Sequence, residues 1–282
     1  MIRRPPRSTQ GVSSAASDVY KRQDTEYPET LTVSGRGELH LSILIETMRR
    51  EGYEFQVSRP RVITRTGVDG GIQEPYEEAL IEVPSEIVGT VIEKLGSRKG
   101  EMTDLRPMGD SGTTRLSLRV PARGLVGYRS EFLTDTRGEG VLHHQFHSWG
   151  PWAGVLKGRG RGVLVADRVG KSVGFALQNL QERGTLFVSP GEEVYGGMIV
   201  GENARPGDLD VNVAKEKKLT NMRAAGSDES IKLEPPRRIT LEAALEFIED
   251  DELIEITPDA VRLRKTVLDQ NMRKKAAKRA KG

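Results

Sequence analysis

The side chains best suited to chemistry are the cations of one polar stretch, NVAKEKKLTNMRAAGSDES at residues 212–230. Within nine positions it carries four basic side chains and one amide: Lys215, Lys217, Lys218, Asn221 and Arg223. Cationic and amide side chains on a long loop are typical contacts to the sugar–phosphate backbone of nucleic acid. The sequence leaves open the alternative of a solvated linker between two elements.

A second cationic group is expected at the tip between a helix and a strand, in GSRKGE at residues 96–101. Its three polar side chains are Ser97, Arg98 and Lys99. Cations at this point can stabilise the negative end of the helix dipole. They can also bind phosphates, and both interpretations stand on sequence alone.

Three histidines, His143, His144 and His147, lie in a predicted strand that also holds Trp149. Alternation along a strand puts His143 and His147 on one face and His144 on the other. Two imidazoles without a cysteine make a poor zinc site. The interpretation favoured here is a polar, solvent-facing side of an edge strand, on which His147 and Trp149 are free to stack on a base or ribose. A metal-binding module or metalloenzyme built on the three histidines is the alternative.

Motifs for catalysis are weak. The tetrapeptide VGKS at residues 169–172 resembles the end of a P-loop, but Val165 stands where that motif needs glycine, so a turn between two strands is predicted. The sequence shows no nucleophile-elbow spacing, and Asp250 and Asp251 are adjacent at a helix end, where they do not face each other. No catalytic or metal residue is therefore predicted.

The overall composition is that of an ordinary globular chain, with 282 residues, 30% charged and 36% hydrophobic. This length suggests about two domains. The absence of cysteine excludes disulfides and thiolate metal sites and suits a cytoplasmic location. No run of 18 apolar residues occurs, so no membrane partner is expected.

Charge is unevenly distributed along the chain. Residues 1–23 hold five basic residues and one acidic residue, lack periodicity and are predicted to be disordered. This head resembles a read-through peptide, which would make it non-native and the chain a truncated fragment. Residues 241–259 carry eight acidic residues and no basic ones, whereas residues 261–282 carry nine basic residues and one acidic residue. The basic tail, 265–282, is a possible anchor on nucleic acid.

The elements that must position these residues follow from periodicity. Residues 34–52 are predicted to be helical and 53–63 extended, as the C-terminal part of a domain that spans 24–66. Residues 72–150 then predict a complete βαββαβ order, which is typical of a ferredoxin-like α+β domain. Its predicted elements are strand 77–83, helix 84–96 with Ser85 as N-cap, strands 101–108 and 113–120, helix 121–136 and strand 138–149.

From residue 153 to 282 the chain predicts a β-rich domain with helices, because short apolar runs alternate with Gly and Pro-Gly. A short helix is expected near 177–183, and a helix at 240–250 has Thr240 as its N-cap. A strand follows at 253–257. The flexible loop of this domain is predicted at 215–230.

Long stretches of the sequence resemble ribosome-binding translational GTPases. SGRGELHLSILIETMRREGYEFQVSRPRVI (34–63) resembles the end of their third domain, which is ferredoxin-like. EPYEEALIEVPSEIVGTVIEKLGSRKGEM (74–102) and RGLVGYRSEFLTDTRGEG (123–140) resemble their fifth domain, also ferredoxin-like. The stretches 175–229 and 237–265 resemble the C-terminal domain peculiar to the BipA (TypA) branch.

The resemblance implies a GTPase that docks in the factor site of the bacterial 70S ribosome and assists large-subunit assembly and translation under stress. The family uses GTP and Mg²⁺, but its P-loop, Mg-binding threonine and guanine-reading motif have no counterpart here, so this chain is expected to carry no cofactor and no GTPase activity. The resemblance implies that the 215–230 loop reaches the acceptor end of the A-site tRNA. It also implies that Ser97, Arg98 and Lys99, and with them His147 and Trp149, lie near large-subunit rRNA.

Overall fold

The computed structural model describes residues 21–24, 30–35, 37–109, 112–156, 158–216 and 232–279. The chain divides into two compact units, a central unit of residues 60–160 and a flanking unit of residues 1–59 and 161–282. No helix among the described residues is long and apolar enough to cross a membrane. The elements are, in chain order, β1 (Lys21–Asp24), β2 (Leu31–Ser34), α1 (Glu38–Arg50), β3 (Phe55–Ser58), β4 (Arg65–Thr66), β5 (Ile72–Pro84), α2 (Val88–Ser97), β6 (Glu101–Pro107), β7 (Thr113–Pro121), α3 (Ala122–Leu125), α4 (Tyr128–Asp135), β8 (Val141–Pro151), β9 (Val163–Ala166), β10 (Gly170–Lys171), α5 (Gly174–Gln181), β11 (Gly184–Leu186), β12 (Glu193–Val194), β13 (Met198–Asn203), β14 (Leu209–Val211), α6 (Leu241–Phe247), β15 (Glu252–Ile256), β16 (Val261–Lys265) and α7 (Gln270–Arg279).

The central unit confirms the ferredoxin-like α+β prediction. Its main strands run in the order β8-β5-β7-β6, all antiparallel, and the short β4 also pairs with β5. Every second residue of β7 from Thr114 to Val120 is buried, as the alternation in 113–120 predicts. This face of the sheet and the helices enclose one apolar core, whose largest members include Ile81, Leu95, Leu116, Leu118, Tyr128 and Phe132.

Two local predictions for the central unit are wrong. The helix predicted over 121–136 is broken into α3 and α4, because Gly127 adopts a left-handed conformation with φ of 70°. Ser85 is not the N-cap of α2; the capping position is Ile87, which has no side-chain cap. The Ser85 hydroxyl instead donates to the carbonyl oxygen of Gly112 at 3.0 Å and lies 2.8 Å from the Thr114 hydroxyl. The Ser85 hydroxyl therefore links the end of β5 to the start of β7.

The flanking unit is built on a seven-stranded sheet in the order β14-β9-β13-β16-β15-β3, with β11 also paired to β13. Strand β9 is buried on both faces and separates two apolar clusters. Val163 and Val165 pack with α1 and α6, whereas Leu164 and Ala166 pack with α5. The result is a mixed sheet with helices on both sides, as expected for a strand without polar alternation. The predicted β-rich character and the Thr240 N-cap agree with this, since the Ala243 amide donates to Thr240 Oγ1 at 3.3 Å.

The first described part of the chain belongs to this flanking unit. The sequence assigns residues 24–66 to a separate domain, whereas β3 pairs with β15 in the structure, with Val57 opposite Ile254. Ile45 of α1 is buried in the same cluster as Ile254. The sequence also assigns no structure to residues up to 23, yet Lys21–Asp24 form β1, which pairs with β2. The β3–β15 pairing joins distant parts of the chain, and the β1–β2 pairing rests on short strands. Sequence periodicity reveals neither.

Candidate RNA interface

The tip after α2 holds its cations in two different ways. The Gly100 amide donates to the Leu95 carbonyl at 2.7 Å, which closes the helix in a Schellman-type turn. This turn forces Lys99 into the left-handed region with φ of 67° and leaves its side chain exposed. Ser97 is also exposed, but its hydroxyl donates to the Lys94 carbonyl at 2.7 Å. Lys99 is thus the residue of this tip that presents its charge to solvent.

Arg98 is directed into the central unit. Its Nη1 donates to the carbonyls of Gly124 and Val126, each at 3.1 Å, and its Nη2 lies 3.0 Å from Glu131 Oε2. The guanidinium also lies over the Tyr128 ring, 5.3 Å from the ring centroid. These contacts join the end of α2 to the break between α3 and α4. The positioning role of Arg98 was missed at the sequence level, because nothing local marks the carbonyls that it reaches.

The same ion-pair cluster continues to Lys94, whose Nζ lies 2.7 Å from both Glu131 Oε1 and Asp135 Oδ2. Burial disfavours the Glu131 carboxylate, but Lys94 and Arg98 outweigh this effect and lower the pKa of that carboxyl. Burial likewise disfavours the Lys94 ammonium, and hydrogen bonds to Asp135 and Glu131 outweigh it and raise its pKa. The cluster therefore favours the charged forms of Glu131 and Lys94.

An exposed aromatic group lies along β8. Phe146 is 57% exposed, and its ring meets Trp149 edge-on with 6.2 Å between centroids. The Arg65 guanidinium covers the Trp149 ring at 4.4 Å. Flat aromatic and guanidinium surfaces of this kind can stack on unpaired bases. Of these residues the sequence singled out Trp149 alone; Arg65 and Phe146 lack a local signal, because their proximity depends on the pairing of β4 and β8 with β5.

The three histidines of β8 do not share one site. Ladder pairing is irregular between Tyr76 and Glu77, which oppose Ser148 and Phe146, so His147 is an extra residue in a bulge. The alternation that would place His143 and His147 on one face is therefore interrupted. His144 Nδ1 pairs with the Glu77 carboxylate. Among the described residues there is no group of three or more His, Cys, Asp or Glu side chains that could hold a metal ion, so the metal hypothesis gains no support.

Both ends of the long polar loop are fixed on α5. The buried Val213 accepts a hydrogen bond at its carbonyl from the Val173 amide, 2.9 Å away, at the first turn of the helix. At the other end of α5, the Gln181 side chain donates to the Lys232 carbonyl at 3.1 Å and accepts from the Glu234 amide at 3.2 Å. Lys215 is exposed immediately after the first anchor. Lys217, Lys218, Asn221 and Arg223 lie outside the described residues.

These exposed cations and aromatic rings are suited to binding a polyanion. They do not form a catalytic arrangement. Exposed cations at Lys99 and Lys215 can contact phosphates, and the aromatic group of Phe146 and Trp149 can contact bases. Lys215 lies in the flanking unit and the other three in the central unit. Each unit therefore carries its own candidate contacts.

Two family models match consecutive parts of the chain. The family described as elongation factor G C-terminus matches residues 71–159, and the family described as TypA/BipA C-terminal domain matches residues 161–270. These bounds follow closely the boundary between the central unit and the later part of the flanking unit. The second match includes the whole 215–230 loop.

Curated relatives align with most of the chain. A protein named large ribosomal subunit assembly factor BipA from Bacillus subtilis (strain 168) is 50% identical over 271 residues, which is 95% of this chain and 44% of the relative. The protein of the same name from Synechocystis is 50% identical over 91% of this chain and 42% of the relative. That from Escherichia coli (strain K12) is 51% identical over 90% of this chain and 42% of the relative. The chain thus spans less than half the length of these relatives.

Proposed function

The chain belongs to the TypA/BipA family, and from this premise we propose that it is a ribosome-binding portion of a translational GTPase that acts in large-subunit assembly in the cytoplasm. The relatives are named as large ribosomal subunit assembly factors. In this proposal the flanking unit contacts the acceptor end of the A-site tRNA, and the central unit contacts large-subunit rRNA.

The observation that carries the proposal is the anchoring of the 215–230 loop at both ends of α5. Hydrogen bonds from Val173 and Gln181 hold the two ends of the loop on one rigid helix. An eight-residue helix is roughly 12 Å long, so the two ends are held apart while the cationic part of the sequence lies between them. Lys215, Lys217, Lys218, Asn221 and Arg223 are the proposed contacts to tRNA phosphates and sugars.

In the central unit, Lys99 is the proposed phosphate contact, with Ser97 beside it. Arg98 holds the tip in place, since its guanidinium donates hydrogen bonds to two carbonyls and to Glu131. Trp149 is the proposed base or ribose contact, together with His147, the bulged residue two positions before it. Arg65 and Phe146 extend that contact to a three-residue aromatic and cationic surface.

Salt dependence of binding tests the loop assignment. Four loop cations that each meet a phosphate should give a log–log salt slope of roughly −3 for deacylated tRNA, at about 0.7 per contact on non-duplex RNA. The variant K217Q/K218Q/R223Q should make this slope shallower by about 2. A control with the same change of charge is R50Q/R106Q/R238Q, whose side chains are exposed outside the 215–230 loop. Equal slopes for the two triple variants would contradict the loop assignment.

Sedimentation with 70S ribosomes tests the wider proposal. We expect the chain to co-sediment at low salt, and we expect Lys99→Gln together with Trp149→Ala to reduce the bound fraction. Lys99 is exposed and Trp149 is half-buried, so circular dichroism of the double variant must first show an unchanged fold. A chain that stays in the supernatant at every salt concentration would contradict ribosome binding by this portion of the family.

A further inference from the structure

The last helix, α7, is fixed to the flanking unit through its first turn. Asp269 caps the helix by accepting from the Met272 amide at 2.8 Å. Arg273 donates to the carbonyls of Val267 and Leu268 at 3.0 and 2.6 Å and pairs with Asp210 of β14. Its side chain is only 16% exposed. The direction in which α7 leaves the sheet is therefore set by a residue on the outermost strand.

None of the described apolar side chains of α7 is buried against the protein. Met272 is 62% exposed, and Lys274, Lys275, Lys278 and Arg279 are all exposed. Lys274 and Lys278, and likewise Lys275 and Arg279, are four positions apart, where like charges on a helix repel each other. The helix thus repeats like charges at neighbouring positions, which a bound polyanion would neutralise. Its described side chains form no continuous apolar face, which an amphipathic helix on a lipid surface requires.

Two other cationic segments leave the sheet close to β14, the outermost strand, to which α7 is anchored. Strands β9 and β14 are parallel neighbours, so their carboxyl ends lie together. The chain after β14 leads to the exposed Lys215, and the turn after β9 contains Arg168, which is 60% exposed, and ends at the exposed Lys171. A Cβ atom on Gly170 would lie 2.9 Å from the Ala214 side chain, so the turn and the start of the loop are in contact.

Carboxylates at this edge are mostly engaged. Asp167 pairs with Arg168 at 2.8 Å, and Asp210 pairs with Arg273 and lies 3.9 Å from Lys274. Glu193 is opposite Lys171 in the β10–β12 ladder, and Glu216 follows Lys215. Within the described part of the chain, Lys275, Lys278 and Arg279 have no ion-pair partner. The excess positive charge therefore lies on α7 and faces solvent.

We propose that α7 and this sheet edge form one RNA-binding surface, the basic edge, which consists of Lys171, Lys215, Lys274, Lys275 and Lys278. The basic edge rests on the proposed function for the identity of its partner, RNA, and adds to it a docked helix and a turn that the loop assignment does not include. Its ligand is the sugar–phosphate backbone, because its side chains are ammonium groups, which act as point charges toward phosphate rather than as readers of base edges.

Salt titration with labelled deacylated tRNA tests the basic edge independently of the loop. The variant K274Q/K275Q/K278Q should make the salt slope shallower by about 2, at roughly 0.7 per phosphate contact. Capping by Asp269 and anchoring by Arg273 are untouched in this variant, and R50Q/R106Q/R238Q again matches the charge change. A slope equal to that of the control would overturn the basic edge, even if the loop variant K217Q/K218Q/R223Q behaves as proposed. If only the loop variant kept the wild-type salt slope, that result would instead contradict the loop assignment and leave the basic edge supported.

Crosslinking supplies a second readout that does not depend on charge. Val169 is 79% exposed at the tip of the turn between Arg168 and Lys171, and a photoreactive benzoylphenylalanine there should crosslink to tRNA. The same group at Val155, which is 87% exposed, is the matched control. Crosslinking at Val155 but not at Val169 would overturn the proposal. So would binding of polyglutamate with the same affinity and salt slope as tRNA, because that result would identify a general acidic partner rather than RNA.

Discussion

The guanidinium of Arg98 lies 3.0 Å from the Glu131 carboxylate and turns away from the solvent that its neighbour Lys99 faces. Two adjacent cations at one helix end thus have opposite orientations. Arg98 joins α2 to the α3–α4 break through the carbonyls of Gly124 and Val126. Lys99 occupies the left-handed position that ends the helix. Of these two neighbours, Arg98 supports the fold and Lys99 presents its charge to solvent.

Replacing each of these two residues should therefore have opposite effects on stability. Arg98→Ala removes three hydrogen bonds of a guanidinium that is 28% exposed, and should lower the free energy of unfolding by about 1–2 kcal/mol. Lys99→Gly removes the strain of a non-glycine residue at φ of 67° and should raise it by up to about 1 kcal/mol. Urea unfolding of both variants measures the difference. A loss of stability in Lys99→Gly would show that this turn is not strained.

The ion-pair cluster around Glu131 should make stability depend on acid pH. The pKa of Glu131 is lower in the folded chain than in the unfolded chain, where it is about 4.3. Its stabilisation is therefore fully present above that value and is lost as the pH falls through the folded pKa. The half-exposed position limits the effect to less than about 1 kcal/mol. Glu131→Gln should accordingly be less stable than the wild type at pH 7 and should approach it near pH 3 in thermal unfolding; a constant difference across that range would contradict this.

The sequence predicts features whose cause is local. Strand β7 alternates between buried and exposed side chains because neighbouring residues point to opposite faces, and Thr240 caps α6 because its own hydroxyl reaches the amide three residues on. Ser85 has the right residue type for a cap, yet a carbonyl from the distant Gly112 competes for its hydroxyl. Gly127 shows the same limit, since a helical pattern does not reveal that the backbone turns left-handed there.

The candidate interface likewise combines features with a local cause and features set by contacts between distant residues. Residue type and loop position identify Lys99 and Lys215 as exposed cations, and the structure places both at the surface. The inward direction of Arg98 depends on the carbonyls of Gly124 and Val126, which are 26 and 28 residues away. The pairing of Val57 with Ile254 likewise joins distant parts of the chain. Contacts of such separation arise from tertiary packing and leave no periodic signal in the sequence.

A single methyl group on Gly162 should destabilise the flanking unit. A Cβ atom there would lie 1.8 Å from the Gly207 carbonyl oxygen, and the side-chain amide of Asn203 holds that oxygen at 2.8 Å. Because the clash is with backbone, Gly162→Ala should cost more than about 2 kcal/mol. Gly160→Ala, two residues earlier, meets nothing within 4 Å and is the control. The melting temperatures of the two variants measure this difference, and equal values would show that the 205–208 turn moves freely.

Removal of the Lys265 ammonium should strongly destabilise the flanking unit. Its side chain is 3% exposed, and its Nζ lies 2.6 Å from Asp208, 2.9 Å from Asp251 and 3.0 Å from the fully buried Glu252. Lys265→Met leaves these carboxylates without their shared cation and should lower the free energy of unfolding by about 3–5 kcal/mol.

The stability that Lys265 gives the wild type should be lost at alkaline pH. Burial disfavours the Lys265 ammonium, but Glu252, Asp208 and Asp251 outweigh that effect and raise its pKa above the ordinary value of a lysine. Stability from this cluster is therefore fully present below about pH 10.4, the pKa of lysine in the unfolded chain, and is lost as the pH rises through the folded pKa. Chemical unfolding of the wild type and of Lys265→Met from pH 7 to 11 measures this loss. A wild-type stability that does not fall as the pH rises to 11 would contradict this role of Lys265.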